Sequence, residues 1–260
     1  MAEILLSGVS KAFGSRADTV MALDDCTFTV PEGEFVTLLG PSGCGKTTAL
    51  DLIAGFTQPT AGTVTVGGSR VERPGPDRAV VFQDTALFPW LRVEDNIAFG
   101  LRVAGAADGA VRAKVEELLD RVGLREFRRR YPAELSGGMR QRVALARVLA
   151  LESDVLLMDE PFGALDAQTR GLMQEFLTGI WERDRRTVLF VTHDLDEAVF
   201  LADRVLVMTA RPGRIKRELV VDLPRPRAPD IMATLRFHAL RDEIRSLVRD
   251  EAIRTMGAAT

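Results

Sequence analysis

Cysteine and histidine are both scarce, with two of each among 260 residues. Two cysteines are too few for a disulfide framework, so we expect Cys26 and Cys44 to be reduced thiols in a cytosolic protein. The chain also lacks an excess of either charge, because 34 Lys and Arg stand against 37 Asp and Glu, for a formal net charge of −3. This balance excludes a general electrostatic attraction to nucleic acid or to anionic lipid.

Long hydrophobic runs are missing as well. No apolar stretch approaches the roughly 20 residues that a membrane-spanning helix needs, and the longest ones, such as 155–158 and 188–191, have the length of a strand. The first residues carry no basic region followed by an apolar run, so we expect no secretory signal. If the protein works at a membrane, other chains must supply the spans.

The composition is that of an ordinary packed protein, with 46% hydrophobic and 27% charged residues. These proportions exclude a disordered or fibrous chain. The length suits one large α/β domain, or a core domain with a smaller subdomain packed on it.

Continuous apolar runs of strand length recur along the chain, and helical patterns separate the last three of them. They lie at 35–39, 79–82, 155–158, 188–192 and 205–208. Such strands alternating with helices indicate a parallel sheet covered on both faces. The earlier segment 4–30 contains shorter β-rich stretches, and the alternation at 27–30 is typical of strands with one solvated face.

Strand signals disappear between Phe88 and Leu151. Four apolar residues fall there at helical spacing, and they are Val115, Leu118, Leu119 and Val122. Gly123 is well placed to stop that helix. We therefore predict a mostly helical subdomain inserted at 87–150.

The rest of the chain divides on either side of this insertion. We predict that 1–86 and 151–225 form the core, with an antiparallel β subdomain at its N-terminus, and that 226–260 form a helical tail. Residues 214–221 read as a further strand. One apolar stripe of the tail predicts a helix docked on the core, and it consists of Phe237, Leu240, Ile244, Leu247 and Val248.

The strand at 35–39 runs into a glycine-rich loop and then into a helical pattern. The loop residues that complete the pattern G-x-x-x-x-G-K-[ST] are Gly40, Pro41, Ser42, Gly43, Cys44, Gly45, Lys46 and Thr47, and Thr48 follows as a further candidate for nucleotide binding. Backbone N–H groups of such a loop cradle phosphates at the helix N-terminus. Lys46 is then expected at the β- and γ-phosphates and the Thr47 hydroxyl at Mg²⁺. The alternative, a chance glycine turn, does not account for the flanking strand and helix.

Two adjacent carboxylates, Asp159 and Glu160, end the apolar run 155–158. They suit a division of labour, in which Asp159 holds magnesium through water and Glu160 orients and polarises the water that attacks the γ-phosphate. An apolar strand that leaves the core through an acidic turn is the alternative. The phosphate loop favours the functional interpretation.

The segment 135–142 (Leu-Ser-Gly-Gly-Met-Arg-Gln-Arg), together with these motifs, resembles the nucleotide-binding subunit of ATP-binding cassette (ABC) transporters. The motif order matches across nearly the whole chain. The resemblance implies an α/β fold of the P-loop NTPase (RecA-like) type, with the antiparallel β subdomain and the inserted helical subdomain. It also implies an ATPase that uses ATP and Mg²⁺.

The same resemblance gives roles to residues that are unremarkable alone. Gln83 corresponds to the glutamine that senses the γ-phosphate and Mg²⁺, Asp166 belongs to the D-loop, and His193 corresponds to the switch histidine. Isolated, His193 is better interpreted as a structural histidine. Its position after an apolar strand, where ligand sites of parallel sheets lie, supports the functional role.

A second small-residue turn precedes the helical pattern at 140–149. In this family the turn completes the ATP site of a partner subunit, which implies a head-to-tail homodimer and assigns the partner's nucleotide to Ser136, Gly137, Gly138 and Gln141. The alternative is a serine N-cap followed by flexible glycines.

The sequence departs from the family at the residue that stacks on adenine, which is most often tyrosine. The candidate here is Phe13, which keeps the aromatic face but loses the hydroxyl. Packing of Phe13 in the core is the alternative interpretation.

Several segments look like the nitrate, sulfonate and taurine importer group, and they are 81–83, 87–90, 96–101 and 159–167; 53–56 and 212–214 lean towards taurine-type members. That group implies integral membrane permease subunits, an indirect secreted solute-binding partner and a peripheral place on the cytoplasmic face of the inner membrane. We expect the apolar residues at 87–90 to receive a short permease helix. A cassette ATPase acting on nucleic acid or ribosomes is the alternative function, although we expect no nucleic-acid partner.

Overall fold

The computed structural model describes residues 2–14, 18–151 and 153–257. Its strands are β1 (Ile4–Phe13), β2 (Val20–Val30), β3 (Phe35–Leu39), β4 (Ala61–Val66), β5 (Ser69–Arg70), β6 (Arg78–Val81), β7 (Val155–Asp159), β8 (Thr187–Thr192), β9 (Arg204–Met208) and β10 (Ile215–Val220). Its α-helices are α1 (Lys46–Ala54), α2 (Val93–Val103), α3 (Asp108–Arg121), α4 (Gly137–Leu149), α5 (Ala167–Asp184), α6 (Leu195–Leu201) and α7 (Leu235–Gly257).

The larger sheet has six strands in the order β10-β9-β3-β8-β7-β6. The five strands from β9 to β6 run parallel, whereas β10 pairs antiparallel with β9 at one edge. Every residue of β3, β7 and β8 is buried, as strands covered on both faces require. The predicted α/β architecture and its parallel sheet are confirmed.

The smaller sheet is antiparallel, in the order β2-β1-β4-β5. Ile4 of β1 lies opposite Val30 of β2 on one side and Val66 of β4 on the other. The buried face of this sheet shares one hydrophobic cluster with α1 and with one face of the six-stranded sheet. The strand β4 was not predicted, although Thr63 to Val66 alternate polar and apolar residues as half-buried strands do.

Between β6 and β7 the chain forms α2, α3 and α4. The four apolar residues that predicted α3 are all buried, and the helix ends where expected. Gly123 has a φ of 66°, and its N–H donates to Asp120 O at 3.1 Å, as a C-terminal cap does. One hydrophobic cluster runs from these helices to the other face of the six-stranded sheet. The division of the chain into subdomains stays a prediction.

The tail docks on the core through α7, whose Phe237, Leu240 and Ile244 are buried. Before it, the buried Arg227 donates to the carbonyls of Val199, Phe200 and Ala202 around the end of α6. Within the described residues, none of the helices combines the length and the apolar character that a membrane span requires.

Candidate nucleotide site

The glycine-rich loop lies between the end of β3 and the start of α1, and its backbone requires glycine at two positions. Gly43 and Gly45 have φ values of 74° and 103°, in the left-handed region. A Cβ built on Gly45 would lie 2.8 Å from Leu23 Cδ2 and 2.9 Å from Ala22 O. The loop therefore packs against β2 at a distance that only glycine permits.

Lys46 is the first residue of α1, and its ammonium group is held by the loop itself. Its Nζ donates to Gly40 O at 2.8 Å and to Pro41 O at 3.1 Å. The side chain is 7% exposed, so a positive charge stands beside the N-terminal end of the helix. Both features favour a bound anion.

Cys44 lies in the same loop, with Sγ 3.9 Å from Lys46 Nζ. Burial raises the pKa of its thiol, and burial raises the pKa of Cys26 to about 12. Both cysteines are free and buried. They behave as protonated packing groups, in line with the prediction of reduced thiols.

Thr47 Oγ1 donates to Asp159 Oδ2 at 2.8 Å, which brings together two of the three side chains predicted to contact magnesium. Asp159 is 5% exposed, and burial raises its pKa, as do the neighbouring carboxylates of Glu160 and Asp51. A hydroxyl and a carboxylate are the hard oxygen donors that Mg²⁺ prefers. A cation here would also stabilise the ionised form of Asp159, so the residues fit the metal.

Glu160 lies one residue beyond β7, with a φ of 46°. Its N–H donates to Val191 O at 2.9 Å, across to β8. Its Oε1 lies 3.1 Å from His193 Nδ1, and the His193 side chain is 65% exposed. The ends of two adjacent parallel strands thus bring together the residues predicted as catalytic base and switch.

A cavity of about 370 Å³ joins nine of the predicted residues. It is lined by Phe13, Val20, Ala22, Ser42, Gly43, Gly45, Lys46, Thr47, Thr48, Gln83, Glu160 and Arg211. Phe13 is 46% exposed, and Lys11 Nζ lies 4.9 Å from the centre of its ring. The alternative that Phe13 packs in the core is therefore wrong. A larger cavity of about 600 Å³ lies between α2, α3 and the two residues that follow α4, and none of the predicted residues lines it.

The small-residue turn at 136–138 lies outside this cavity. Ser136 is exposed and caps α4, its Oγ accepting from Met139 N at 3.3 Å, so the N-cap considered as an alternative is present. Gln141 differs from its neighbours, because it is 2% exposed and both polar atoms of its side chain lack a hydrogen-bond partner. Among the described residues that line the cavity, none comes from this turn.

Asp166 caps α5, and its carboxylate accepts from the Thr169 N–H at 2.9 Å and from Thr169 Oγ1 at 2.8 Å. These hydrogen bonds lower its pKa. The preceding residue lies beside the small-residue turn, since a Cβ built on Gly138 would be 3.3 Å from Leu165 Cδ2. Two segments that are far apart in the sequence therefore share one surface.

Two arginines near the cavity belong to none of the sequence motifs. Arg211 lines the cavity, and its Nε donates to Gly43 O at 3.1 Å. Arg147 of α4 donates to Ala86 O at 2.9 Å, just beyond Gln83. The only sequence signal for Arg211 is its place before the Pro-Gly turn that follows a parallel strand, and Arg147 has none.

Comparison with known proteins agrees with this geometry. A family model described as "ABC transporter" matches residues 23–163. The taurine import ATP-binding protein TauB of Rhizobium johnstonii is 50% identical over 235 residues, which cover 88% of this chain and 90% of that protein. The nitrate import ATP-binding protein NrtD of Synechocystis sp. is 47% identical over 250 residues, which cover 94% of each.

Among solved structures, the dimeric bacterial ABC transporter cassette MJ0796 superimposes with a TM-score of 0.78 at 31% identity. The match covers 85% of this chain and all of that one.

Proposed function

The chain belongs to the ABC transporter family and is an ATPase of that type, and from this premise we propose that it energises an importer of a small anionic solute. The proposed solute is taurine or another sulfonate, or nitrate. The subunit would bind and hydrolyse ATP as a head-to-tail homodimer. The observation that carries the proposal is the cavity that joins the phosphate loop to Gln83 and Glu160.

The residues of the cavity divide the work as follows. Lys46 and the loop N–H groups hold the phosphates, and Phe13 offers an aromatic face to the base. Glu160 orients and polarises the attacking water, with His193 as its neighbour. Thr47, Asp159 and Gln83 would hold Mg²⁺, which when bound neutralises charge on the phosphate oxygens.

The place of the small-residue turn supports the proposed dimer. Ser136 is exposed and does not line the cavity of its own chain, yet it stands at a helix N-terminus, where anions are favoured. In a head-to-tail pair this turn would close the cavity of the partner. Asp166, on the segment beside it, would lie at the same interface.

The proposed partners are integral membrane permease subunits and, indirectly, a secreted solute-binding protein. The chain would then work on the cytoplasmic face of the inner membrane. Two of the relatives are named for import of taurine and nitrate. Both solutes are small and carry an anionic group, which is nitrate itself and the sulfonate of zwitterionic taurine. Neither name supports the alternative function on nucleic acid or ribosomes.

The test is to isolate the chain with its permease, reconstitute the complex in liposomes and add the solute-binding protein. ATP hydrolysis is then measured with taurine, with a longer alkanesulfonate, with nitrate and with sulfate as a control anion. Stimulation by one of the first three supports the proposal and identifies the solute. Stimulation by RNA or ribosomes, and by none of these solutes, would contradict it.

A further inference from the structure

The cavity contains a second cation besides Lys46. Arg211 lines it and is exposed, and its Nε donates to Gly43 O at 3.1 Å. Among the residues that the structure describes, no carboxylate forms an ion pair with Arg211. The neighbouring Arg214, by contrast, pairs with Asp24.

The turn that carries Arg211, residues 209–214, is fixed from within. Thr209 N donates to Arg214 O at 2.9 Å, and Arg214 N donates to Thr209 Oγ1 at 3.0 Å. The Thr209 hydroxyl also donates to Pro212 O at 3.0 Å. These hydrogen bonds close the turn and fix the backbone that carries the Arg211 side chain.

The same turn is attached to the phosphate loop and to β2. Gly213 exchanges backbone hydrogen bonds with its neighbours there, donating to Ala22 O at 2.9 Å and accepting from Asp24 N at 3.1 Å. A Cβ built on Gly213 would lie 2.1 Å from Cys44 O. The backbone of the turn therefore touches the loop directly.

A further anchor comes from the tail. Glu251 of α7 accepts from Ala210 N at 3.0 Å and pairs with Lys216 at 2.8 Å. It is 2% exposed. Both β2 and α7 thus hold the turn against the phosphate loop.

This placement also indicates which part of a nucleotide Arg211 meets. The turn is bonded to Ala22, and in the β1–β2 pairing Phe13 lies opposite Val20. Arg211 therefore stands on the side of the phosphate loop that leads to the aromatic residue. Gln83 and Glu160 are the residues proposed for the γ-phosphate.

We propose that the guanidinium of Arg211 binds the phosphates that ATP and ADP share, as a second cation of the nucleotide site. The proposal rests on the proposed nucleotide-binding role of the cavity. An arginine whose Nε is already bonded to the loop keeps its Nη groups for the ligand, and hydrogen bonds to a charged phosphate are among the stronger ones in proteins.

The test compares the full-length variants Arg211→Gln, Arg211→Met and Arg211→Lys with the wild type. Dissociation constants for ATP and for ADP are measured by calorimetry at several salt concentrations. The Gln variant keeps a donor for Gly43 O but loses the charge, whereas the Lys variant keeps the charge. Arg217→Gln is the matched control, because Arg217 is exposed on β10 outside the cavity.

We expect Arg211→Gln and Arg211→Met to weaken ATP and ADP equally, by about tenfold. Their binding should also depend less on salt, since one attractive charge is gone. Arg211→Lys should regain most of the affinity, and Arg217→Gln should bind as the wild type does. Melting temperatures without nucleotide should agree among all five proteins.

Three results would overturn the proposal. Unchanged affinity in Arg211→Gln would show that Arg211 does not bind the phosphates. A loss of affinity for ATP alone would show that Arg211 binds the γ-phosphate. A loss with an unchanged salt dependence would mean that Arg211 acts only through Gly43. If the wild type binds neither nucleotide, the proposed function is itself wrong.

Discussion

Glu160 Oε1 and His193 Nδ1 lie 3.1 Å apart at the adjacent ends of β7 and β8. The contact holds the carboxylate at the edge of the nucleotide cavity, which Glu160 also lines. The Glu160 N–H donates to Val191 O, so a backbone hydrogen bond also links this residue to β8. The geometry separates two tasks, since Lys46 lies within the phosphate loop and Glu160 lies across the cavity from it.

Glu160→Gln should bind ATP and hydrolyse it very slowly. The glutamine amide has the shape of the carboxylate and can keep the contact with His193, so the substitution removes the charge and leaves the contact. Loss of a catalytic base commonly costs about 10²–10⁴ in rate. Steady-state phosphate release measures the rate, and size-exclusion chromatography with ATP should show an accumulated dimer. Near-normal turnover would contradict the role of Glu160.

Lys46→Ala should show the opposite pattern. Its loss removes the buried charge beside the loop carbonyls, so nucleotide binding itself should weaken. Titration with a fluorescent ATP analogue measures the affinity. An unchanged dissociation constant in Lys46→Ala would show that Lys46 does not bind the phosphates.

Asp159→Asn should stabilise the protein in the absence of nucleotide and magnesium. Burial raises the pKa of Asp159 above its ordinary value of 3.8, so the folded state holds the proton more tightly than the unfolded state does. Folding stability contributed by this group is therefore lost as the pH rises from 3.8 through the raised pKa. The asparagine carries no such penalty and still accepts from Thr47.

The measurement is the melting temperature of both proteins between mildly acidic and neutral pH. We expect the variant to melt higher at neutral pH, by about 2–4 °C for each kcal/mol of relieved penalty, and the difference to shrink as the pH falls. Magnesium with ATP should stabilise the wild type more than the variant. Equal melting curves of the wild type and the variant at every pH would show that the ionised Asp159 carboxylate does not lower folding stability.

The fold was predictable where one local pattern decides it. Continuous apolar runs predicted β3, β7, β8 and β9 to within about a residue, because strands buried on both faces carry apolar side chains at almost every position. The strand β4 was missed because only its last four residues, from Thr63, alternate polar and apolar side chains. Its first two residues, Ala61 and Gly62, carry no strand signal.

Within the site, residues that lie on contiguous sequence motifs could be predicted. Residues that reach the site only because two distant strands are neighbours in the sheet could not. The sequence allowed Phe13 either to stack on adenine or to pack in the core, because an aromatic residue at the end of a strand gives the same sequence signal in both places. Arg211 reaches the phosphate loop only because β9 lies beside β3. No spacing in the sequence encodes that adjacency.

An aromatic patch follows Gln83 and consists of Phe88, Trp90 and Phe99. The Phe88 ring lies 4.5 Å from that of Phe99 and 5.7 Å from that of Trp90, between ring centres. Trp90 is 71% exposed. Leu87, which the sequence grouped with these residues, packs against the core instead, so its replacement would test folding as well as assembly.

Trp90→Ser combined with Phe99→Ser should leave the ATPase of the isolated chain largely intact and weaken assembly with the permease by tenfold or more, on the order expected for a buried aromatic anchor. Co-purification with a tagged permease measures assembly. Leu235→Ser is the control, because Leu235 is 89% exposed on α7. Normal co-purification of the double variant would contradict the permease contact.

The head-to-tail dimer makes a prediction that depends on which cavity Ser136 serves. One subunit carries Lys46→Ala and the other Ser136→Arg, with different tags so that the mixed dimer can be purified. If Ser136 served its own cavity, each site would contain one defect and neither would trap nucleotide. If it serves the partner's cavity, one site collects both defects and the other is intact.

The structure favours the second case, because Ser136 is exposed and does not line the cavity that holds Lys46. The mixed dimer should therefore retain one site that occludes ATP, even if turnover falls. Photolabelling with an azido-ATP analogue reads out that site, and the label should appear on the subunit with Ser136→Arg, which keeps its lysine. The two homodimers, each carrying one substitution in both subunits, should trap no label. A folded mixed dimer without trapped label would contradict a shared site, because a shared site requires one of the two sites in this dimer to be intact.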